Sequence, residues 1–479
     1  MTAPPVQPQR VEFVRAISRL DATALVVGSM IGSGIFIVSA DILRQVHSPG
    51  LLLTVWVLSG VVTLLGALTY GELAAMFPKA GGNYVYLREG ISPLLGYLYG
   101  WTLFVVIQTG TIAAVAVAFA RFTSVLVPSL TPDVFLGTTL HFPPPIGDIA
   151  VGLSAQRIFA IASIVLLTWI NVRGVRTAAF IQTTLTAIKT AALAGLILLG
   201  FAIGRNAEAI AANFGANFWA GGGLSLAILP VVGAAMVGSL FSMDAWNNVG
   251  FASGELKNPE KDLPFAMAAG VLTVTTLYVL ANVAYLLVLP NDSIAHAPQD
   301  RVGTAALQAI LGPPGLYIMA IAIMISTFGC NNGLILSGAR VYYAMARDNL
   351  FFKSAANLHP TFKTPALALV TQAIWTCVLC LSGTYGQLLN FVIFAAVVFY
   401  AVTAIAIFRL RRTRPDIPRP VKAPGYPVLP ALYIVLTGLI AVDLLVQDST
   451  RTYAFLGLIL VLLGVPVYFA WRRYAKPLT

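Results

Sequence analysis

Gly28-Ser-Met-Ile-Gly-Ser-Gly-Ile-Phe36 sets three glycines and two serines in the middle of an apolar stretch, residues 21–46, that is long enough to cross a bilayer. A glycine inside a helix costs about 1 kcal/mol relative to alanine. In hydrocarbon, each backbone N–H or C=O freed by a break must also find another polar partner. Such a break is sustainable where it lines a protein cavity and turns its backbone dipoles toward a ligand. The stretch therefore predicts a transmembrane helix interrupted at a binding site, the architecture of a transport protein. The alternative is that Gly28 and Gly32, four residues apart, merely let two helices pack closely.

The rest of the chain fits a membrane setting. Of 479 residues, 58% are hydrophobic and only 10% charged, with a mean hydropathy of +0.85, against about 25% charged in soluble proteins. Twelve segments reach the roughly 20 apolar residues a span needs: 21–46, 51–76, 93–127, 155–171, 176–203, 225–254, 264–290, 311–346, 366–383, 387–409, 428–446 and 453–471. With residues 1–20 inside, 22 of the 29 Lys and Arg fall on cytoplasmic segments. Five (Arg44, Arg157, Arg205, Arg301, Arg451) fall outside, and Arg121 and Lys189 lie within spans. That split follows the positive-inside rule, so the net charge of +11 reports membrane orientation rather than nucleic-acid binding. An all-α, multi-pass protein of the cell membrane with both termini cytoplasmic is expected. Cys330, Cys377 and Cys380 fall in spans, and the four histidines form no ligand cluster, so neither a metal nor a cofactor is expected.

A second interruption, Ser242-Met-Asp-Ala-Trp-Asn-Asn248, comes about 210 residues after the first, in the sixth span. Corresponding breaks in the first helix of each half point to an inverted-repeat transporter with its site at the midplane. Five spans is an odd number, so a second copy starts from the opposite side of the membrane. The expected organisation is a cytoplasmic segment 1–20, a first repeat 21–203, a second repeat 225–409, two further spans over 428–471 and a tail 472–479. The loop from Pro128 to Gln156, rich in Pro and Thr, is expected to be a cap with little regular structure.

The chemistry is expected at the breaks. The half-helix starting after Gly34 points free amides and a positive dipole end at the cavity, which suits a carboxylate, and the Ser33 hydroxyl can add a donor. Carbonyls around Met30, Ile31 and Phe241 suit an ammonium. Together they fit the constant end of an α-amino acid. Lys189, mid-span, is a functional candidate by default; Ser326 and Thr327 are its obvious partners besides the first break. It is either a proton-coupling group or a fixed ammonium that joins helices. Asp244 can accept a substrate ammonium, relay a proton, bond local backbone, or pair with Trp246 or Asn247. Gln108, Thr109 and Thr111 are possible pocket lining, and Glu72 and Glu255 possible salt-bridge partners of a cytoplasmic gate.

Gly28-to-Phe36, Tyr70-to-Tyr84 and Phe241-to-Pro259 resemble the amino acid–polyamine–organocation superfamily. Asn332-to-Asp348 and Arg414-to-Lys422 make the chain similar to bacterial relatives of the L-type amino acid transporters. The resemblance implies a LeuT-type fold of two five-helix inverted repeats with helices 1 and 6 broken. By position it implies that the Ser33, Gly34 and Ile35 amides meet the substrate carboxylate, and that the Met30 or Ile31 carbonyl and the Phe241 carbonyl meet the α-amine, beside Ser242, with Phe241 as outer gate. It also implies that Lys189 replaces a sodium ion, bonded to Gly28 or Ile31 carbonyls and to Ser326. Asp244 departs from the mammalian members, which commonly have a small neutral residue there. The outer loops lack the cysteine through which mammalian light chains join a heavy subunit, so no disulfide-linked partner is expected beyond lipid and an amino acid substrate. The function so implied is sodium-independent exchange of neutral amino acids. Proton symport and exchange of cationic amino acids or polyamines are the alternatives, and a sensor or intramembrane enzyme is a more distant one.

Overall fold

Four helices begin at a serine whose hydroxyl accepts a bond from the first-turn backbone, as an N-cap does. Ser18 caps α1 (Arg19–Met30) and forms a reciprocal capping box with Asp21. Ser48 and Ser92, each followed by a proline at the first helical position, cap α3 (Pro49–Met76) and α5 (Pro93–Thr102), and Ser154 caps α7 (Ala155–Val172). The computed structural model describes residues 13–141, 148–215, 218–219, 228–382 and 385–474. Between and after these lie α2 (Gly34–Val46), α4 (Asn83–Gly90), α6 (Gln108–Thr123), α8 (Val175–Ala202), α9 (Ala207–Phe214), α10 (Leu229–Ser242) and α11 (Pro259–Val288). The chain continues through α12 (Asn291–Ala295), α13 (Val302–Leu311), α14 (Pro313–Arg347), α15 (Ala366–Ser382), α16 (Tyr385–Thr413), α17 (Val428–Val446) and α18 (Asp448–Tyr474). A π-helical turn, Leu103–Ile107, joins α5 to α6.

Ten helices among the described residues are long and apolar enough to cross a membrane, two fewer than the twelve segments read from hydropathy. The two that fall short by length are α10, which stops at the second break, and α15, whose end meets undescribed residues. Residues 1–12, 225–227 and 475–479, part of the expected terminal segments and sixth span, lie outside the described residues.

The fold is not purely helical. Within the loop expected to be irregular, β1 (Leu136–His141) and β2 (Asp148–Leu153) pair antiparallel, with Leu136 opposite Leu153 and Gly137 opposite Gly152. Thr138 stands opposite Val151, a β-branched pair of the kind that suits a pleated surface. The proline run Pro143–Pro145 that dominated the sequence reading lies outside the described residues.

The most extensive helix seams run between α3 and α11 and between α6 and α14, and α2 packs along α10. The two ends of the bundle are tied differently. At one end, Arg340 of α14 grips Glu255 through 2.9 and 3.1 Å contacts, with both side chains buried. The Tyr84 hydroxyl donates to Asp348 at 2.6 Å, Arg88 pairs with the same carboxylate, and Arg411 reaches Glu72 at 2.6 Å. Burial alone would raise the Glu89 carboxyl here; hydrogen bonds and charge from Arg414 and Arg88 outweigh it and hold the group below the ordinary carboxylate range. The segment just before α1 joins this end, with Ile17 N–H donating to the Glu255 carbonyl at 2.9 Å and Lys257 N–H to the Ile17 carbonyl at 3.0 Å. At the other end, Arg44 bridges to Asp300 and to the Ala295 carbonyl, both at 2.7 Å, and the charged groups are about one-third exposed.

Removing one partner of a buried ion pair leaves a charge without compensation, at a cost of about 3–5 kcal/mol. Glu255→Ala should therefore lower the melting temperature of the detergent-purified protein substantially. Glu255→Ala combined with Arg340→Met should recover most of the loss, as measured by thermal unfolding.

Candidate functional site at the two helix breaks

The first helix stops where its sequence turns to small residues. Ile31 leaves the helical conformation (φ −73°, ψ 92°), its N–H still reaching the Val27 carbonyl, and helix α2 begins at Gly34 after Ser33, whose dihedrals are already helical. The amides of Gly34 and Ile35 are thus in a first helical turn and have no intrahelical acceptor. The second break mirrors this. Helix α10 ends at Ser242, and Ala245 adopts a left-handed conformation (φ 67°) that L-residues other than Asn and Asp seldom take. The chain then proceeds through two 3₁₀ turns, Asn248–Gly250 and Ser253–Glu255.

The breaks meet. A Cβ added to Gly34 would overlap the Ser242 side chain and stand 3.1 Å from its Cα. Tyr278 of α11 pins both interruptions, its hydroxyl lying 2.9 Å from the Met30 carbonyl and 3.2 Å from the Ser242 carbonyl. The Ile35 carbonyl is approached by the Tyr285 hydroxyl at 3.3 Å. The Phe241 carbonyl accepts the Asp244 N–H at 3.2 Å, so one of its lone pairs serves the local turn.

Lys189 reaches the first break from α8. Its ammonium donates to the Gly28 carbonyl, to the Ile31 carbonyl at 2.7 Å and to the Ser326 carbonyl at 3.3 Å, fully buried. The Ser326 contribution comes from the backbone. Its hydroxyl instead lies 3.2 Å from the Ile31 carbonyl and 3.1 Å from that of Gly32, while Thr327 bonds only its own helix. The Ile31 carbonyl takes Lys189 and shares the single Ser326 hydroxyl proton with the Gly32 carbonyl. The lysine heads a seam of contacts from one face of α8: the Thr183 hydroxyl donates to Asp21 at 3.0 Å and the Thr186 hydroxyl to the Ala24 carbonyl at 3.1 Å. Gly28 is also a packing residue, because a Cβ there would collide with Thr186 and Gln182. Gly28 thus offers its carbonyl to Lys189 and, by lacking a side chain, room for α8.

Asp244 is not paired with Trp246 or Asn247. The Tyr400 hydroxyl of α16 donates to it, and it lines a cavity of about 20 Å³, room for about one water, together with Thr63, Trp246, Tyr433 and Thr437. No residue of α1 or α2 borders that cavity. Trp246 packs edge-on against Tyr70, ring centroids 4.9 Å apart. Asn247 is buried with neither amide atom hydrogen-bonded among the described residues, a condition that buried polar groups rarely tolerate without a ligand or water. Gln108 donates to the Leu334 carbonyl at 2.7 Å and lies 3.4 Å from Asn248, directly after the π-turn; Thr109 and Thr111 bond back to their own chain.

Sequence reasoning missed Tyr278, Tyr400 and the α8 threonines. Thr183, Thr186 and Lys189 recur every three residues, a helical-face signal that was available. Nothing local marks Tyr278 or Tyr400, each one tyrosine among 17. Among the described residues no group of His, Cys, Asp and Glu is placed to hold a metal.

A family model for amino acid permeases matches residues 17–467. The human large neutral amino acids transporter small subunit 2 is 32% identical over 97% of this chain and 82% of its own length. The serine/threonine exchanger SteT of Bacillus subtilis is 30% identical over 96% of this chain and 97% of its own. The mouse Asc-type amino acid transporter 1 is 31% identical over 98% and 84%.

Overpacking a close contact costs about 1–3 kcal/mol. Gly34→Ala should lower thermal stability by that order, and Ser242→Gly in the same chain should relieve part of it. A double-mutant cycle on melting curves reads the coupling between the breaks directly.

Proposed function

We infer that this chain, which belongs to the amino acid permease family, exchanges neutral amino acids across the cell membrane without sodium, by alternating access. The observation that carries the reading is the Lys189 ammonium seated on the carbonyls of the first break. A bound cation in that position would draw on the same carbonyls. A lysine already in place supplies the positive charge that joins α8 to the broken helix, so no ion need be taken up.

The substrate's carboxylate is proposed to sit at the Ser33–Ile35 amides and its α-amine at the Met30 and Phe241 carbonyls, with Ser242 alongside. Met30 is preferred to Ile31 because the Ile31 carbonyl already accepts the Lys189 ammonium. Asn247 would satisfy its amide on the substrate, with Gln108 and Trp246 behind it and Phe241 as gate. Neutral side chains are favoured because Asp244 already holds the Tyr400 hydroxyl and lines a separate cavity. The relatives named for large neutral amino acids and for serine and threonine agree with that choice.

Twelve spans in two inverted repeats, 21–203 and 225–409, with spans 11 and 12 over 428–471, are proposed for the architecture. In support, the first three spans each pack against the counterpart five spans on: α2 on α10, α3 on α11, α6 on α14. Both termini are proposed to be cytoplasmic, which puts the Arg340–Glu255 pair at an inward gate. The three cysteines are free and sit in helices, in keeping with a carrier that works without a disulfide-linked heavy subunit.

Counterflow in proteoliposomes tests the reading. A labelled neutral amino acid should enter only vesicles preloaded with unlabelled amino acid, regardless of sodium and of the pH gradient. Entry into empty vesicles that dies with the pH gradient would make the protein a proton symporter; block by excess arginine or putrescine, lost in Asp244→Asn, would make it a cation exchanger. Lys189→Ala should cut exchange at least tenfold while the protein still purifies folded, and near wild-type uptake would overturn the role assigned to the lysine.

A further inference from the structure

A cleft of about 640 Å³ opens where the N-terminal segment, α1 and the first half of α8 converge. Its rim carries Arg15, Arg176 and Lys257, all exposed. None of the three forms an ion pair among the described residues. By contrast Arg19, Arg88, Arg340, Arg411 and Arg414 each have a carboxylate partner. The one acid in the cleft, Asp21, accepts from Ser18 and Thr183 and also bears electrostatically on Lys257. The fold thus supplies one counter-charge for three cations and leaves the rim with positive charge in excess. From it an apolar wall runs along α8 through Ala179, Phe180, Ala187 and Ile188, with Phe180 72% and Ile188 44% exposed on a helix long and apolar enough to span the membrane.

We propose that this cleft binds one anionic glycerophospholipid, its phosphate on Arg15, Arg176 and Lys257 and an acyl chain against Phe180 and Ile188. Basic pockets between helices at a membrane's cytoplasmic face suit anionic headgroups. A free phosphate would use the rim and leave the apolar wall bare, which is why a lipid is the better fit. The cleft borders the seam in which Thr183, Thr186 and Lys189 hold α1, so the bound lipid braces the broken helix from outside the substrate site. The placement at an inner leaflet rests on the orientation proposed above; the charge and the wall do not.

Native mass spectrometry of the purified full chain with defined lipids tests this. Phosphatidylglycerol should be retained as one adduct in preference to phosphatidylcholine, and Arg15→Gln/Arg176→Gln/Lys257→Gln should weaken it by about fivefold per charge removed. Arg176→Gln alone, as the milder variant, should show an intermediate loss, with melting curves confirming that both variants fold. Equal retention by the wild type and the triple variant overturns the site. Displacement of the lipid by millimolar inorganic phosphate, with equal thermal protection by phosphate alone, would make it a soluble-anion pocket and overturn the lipid assignment. Counterflow run in parallel in phosphatidylcholine vesicles, with and without phosphatidylglycerol, separates the two inferences: exchange absent in both lipids alongside intact lipid binding refutes the transport reading alone.

Discussion

Everything near the centre of this molecule depends on one ammonium meeting the loose end of a helix. Taking a lysine into a membrane interior costs about 2.5–3.5 kcal/mol on insertion scales, and interrupting α1 leaves carbonyls that hydrocarbon cannot satisfy. Each liability is the other's remedy. Lys189 takes the Gly28, Ile31 and Ser326 carbonyls, and in doing so it fixes where α1 ends, how α8 lies against it and which carbonyls remain for anything else. Gly28 is required for its missing side chain, since any residue there would supply the carbonyl.

The second break is held by a different device. Among the described residues no buried ammonium reaches it; instead the Tyr278 hydroxyl stands between the Met30 and Ser242 carbonyls and the Tyr400 hydroxyl donates to Asp244. Phenols provide rigid, uncharged donors with a large apolar body, so they can tie a break to neighbouring helices without adding a further charge to the membrane. The first interruption is thus anchored by an ammonium and the second by phenol hydroxyls, and the contact between Gly34 and Ser242 joins the two.

Much of this was legible in the residues alone. The glycines of Gly28–Phe36 and the polar run Ser242–Asn248 announced both breaks, because membrane spans seldom contain either. Lys189 stood out by depth, and Glu72 and Glu255 by nearness to basic loops. What stayed hidden was of two kinds. Partners such as Tyr278 and Tyr400 come from distant helices and look like ordinary aromatic core residues. Features of local geometry, such as the β1–β2 hairpin or the direction Asp244 faces, depend on competing conformations that composition does not resolve: the prolines of that loop masked the strand preference of its threonines and valine. For Ser326 the sequence left the atom open, since only the fold decides whether a serine offers its hydroxyl or its carbonyl.

The ion pairs of the bundle do not all answer alike to their surroundings. The Arg340–Glu255 pair is out of solvent's reach, while Arg44 and Asp300 stand partly in it. Mobile ions screen charges in water, with a Debye length of about 8 Å at physiological ionic strength, and act far less on buried pairs. Salt therefore weakens the Arg44–Asp300 pair, and with it exposed pairs such as Arg88–Asp348, while sparing Arg340–Glu255. Ionic strength becomes a lever that acts unequally across the molecule: what yields first is the exposed ties, and what persists is the buried pair.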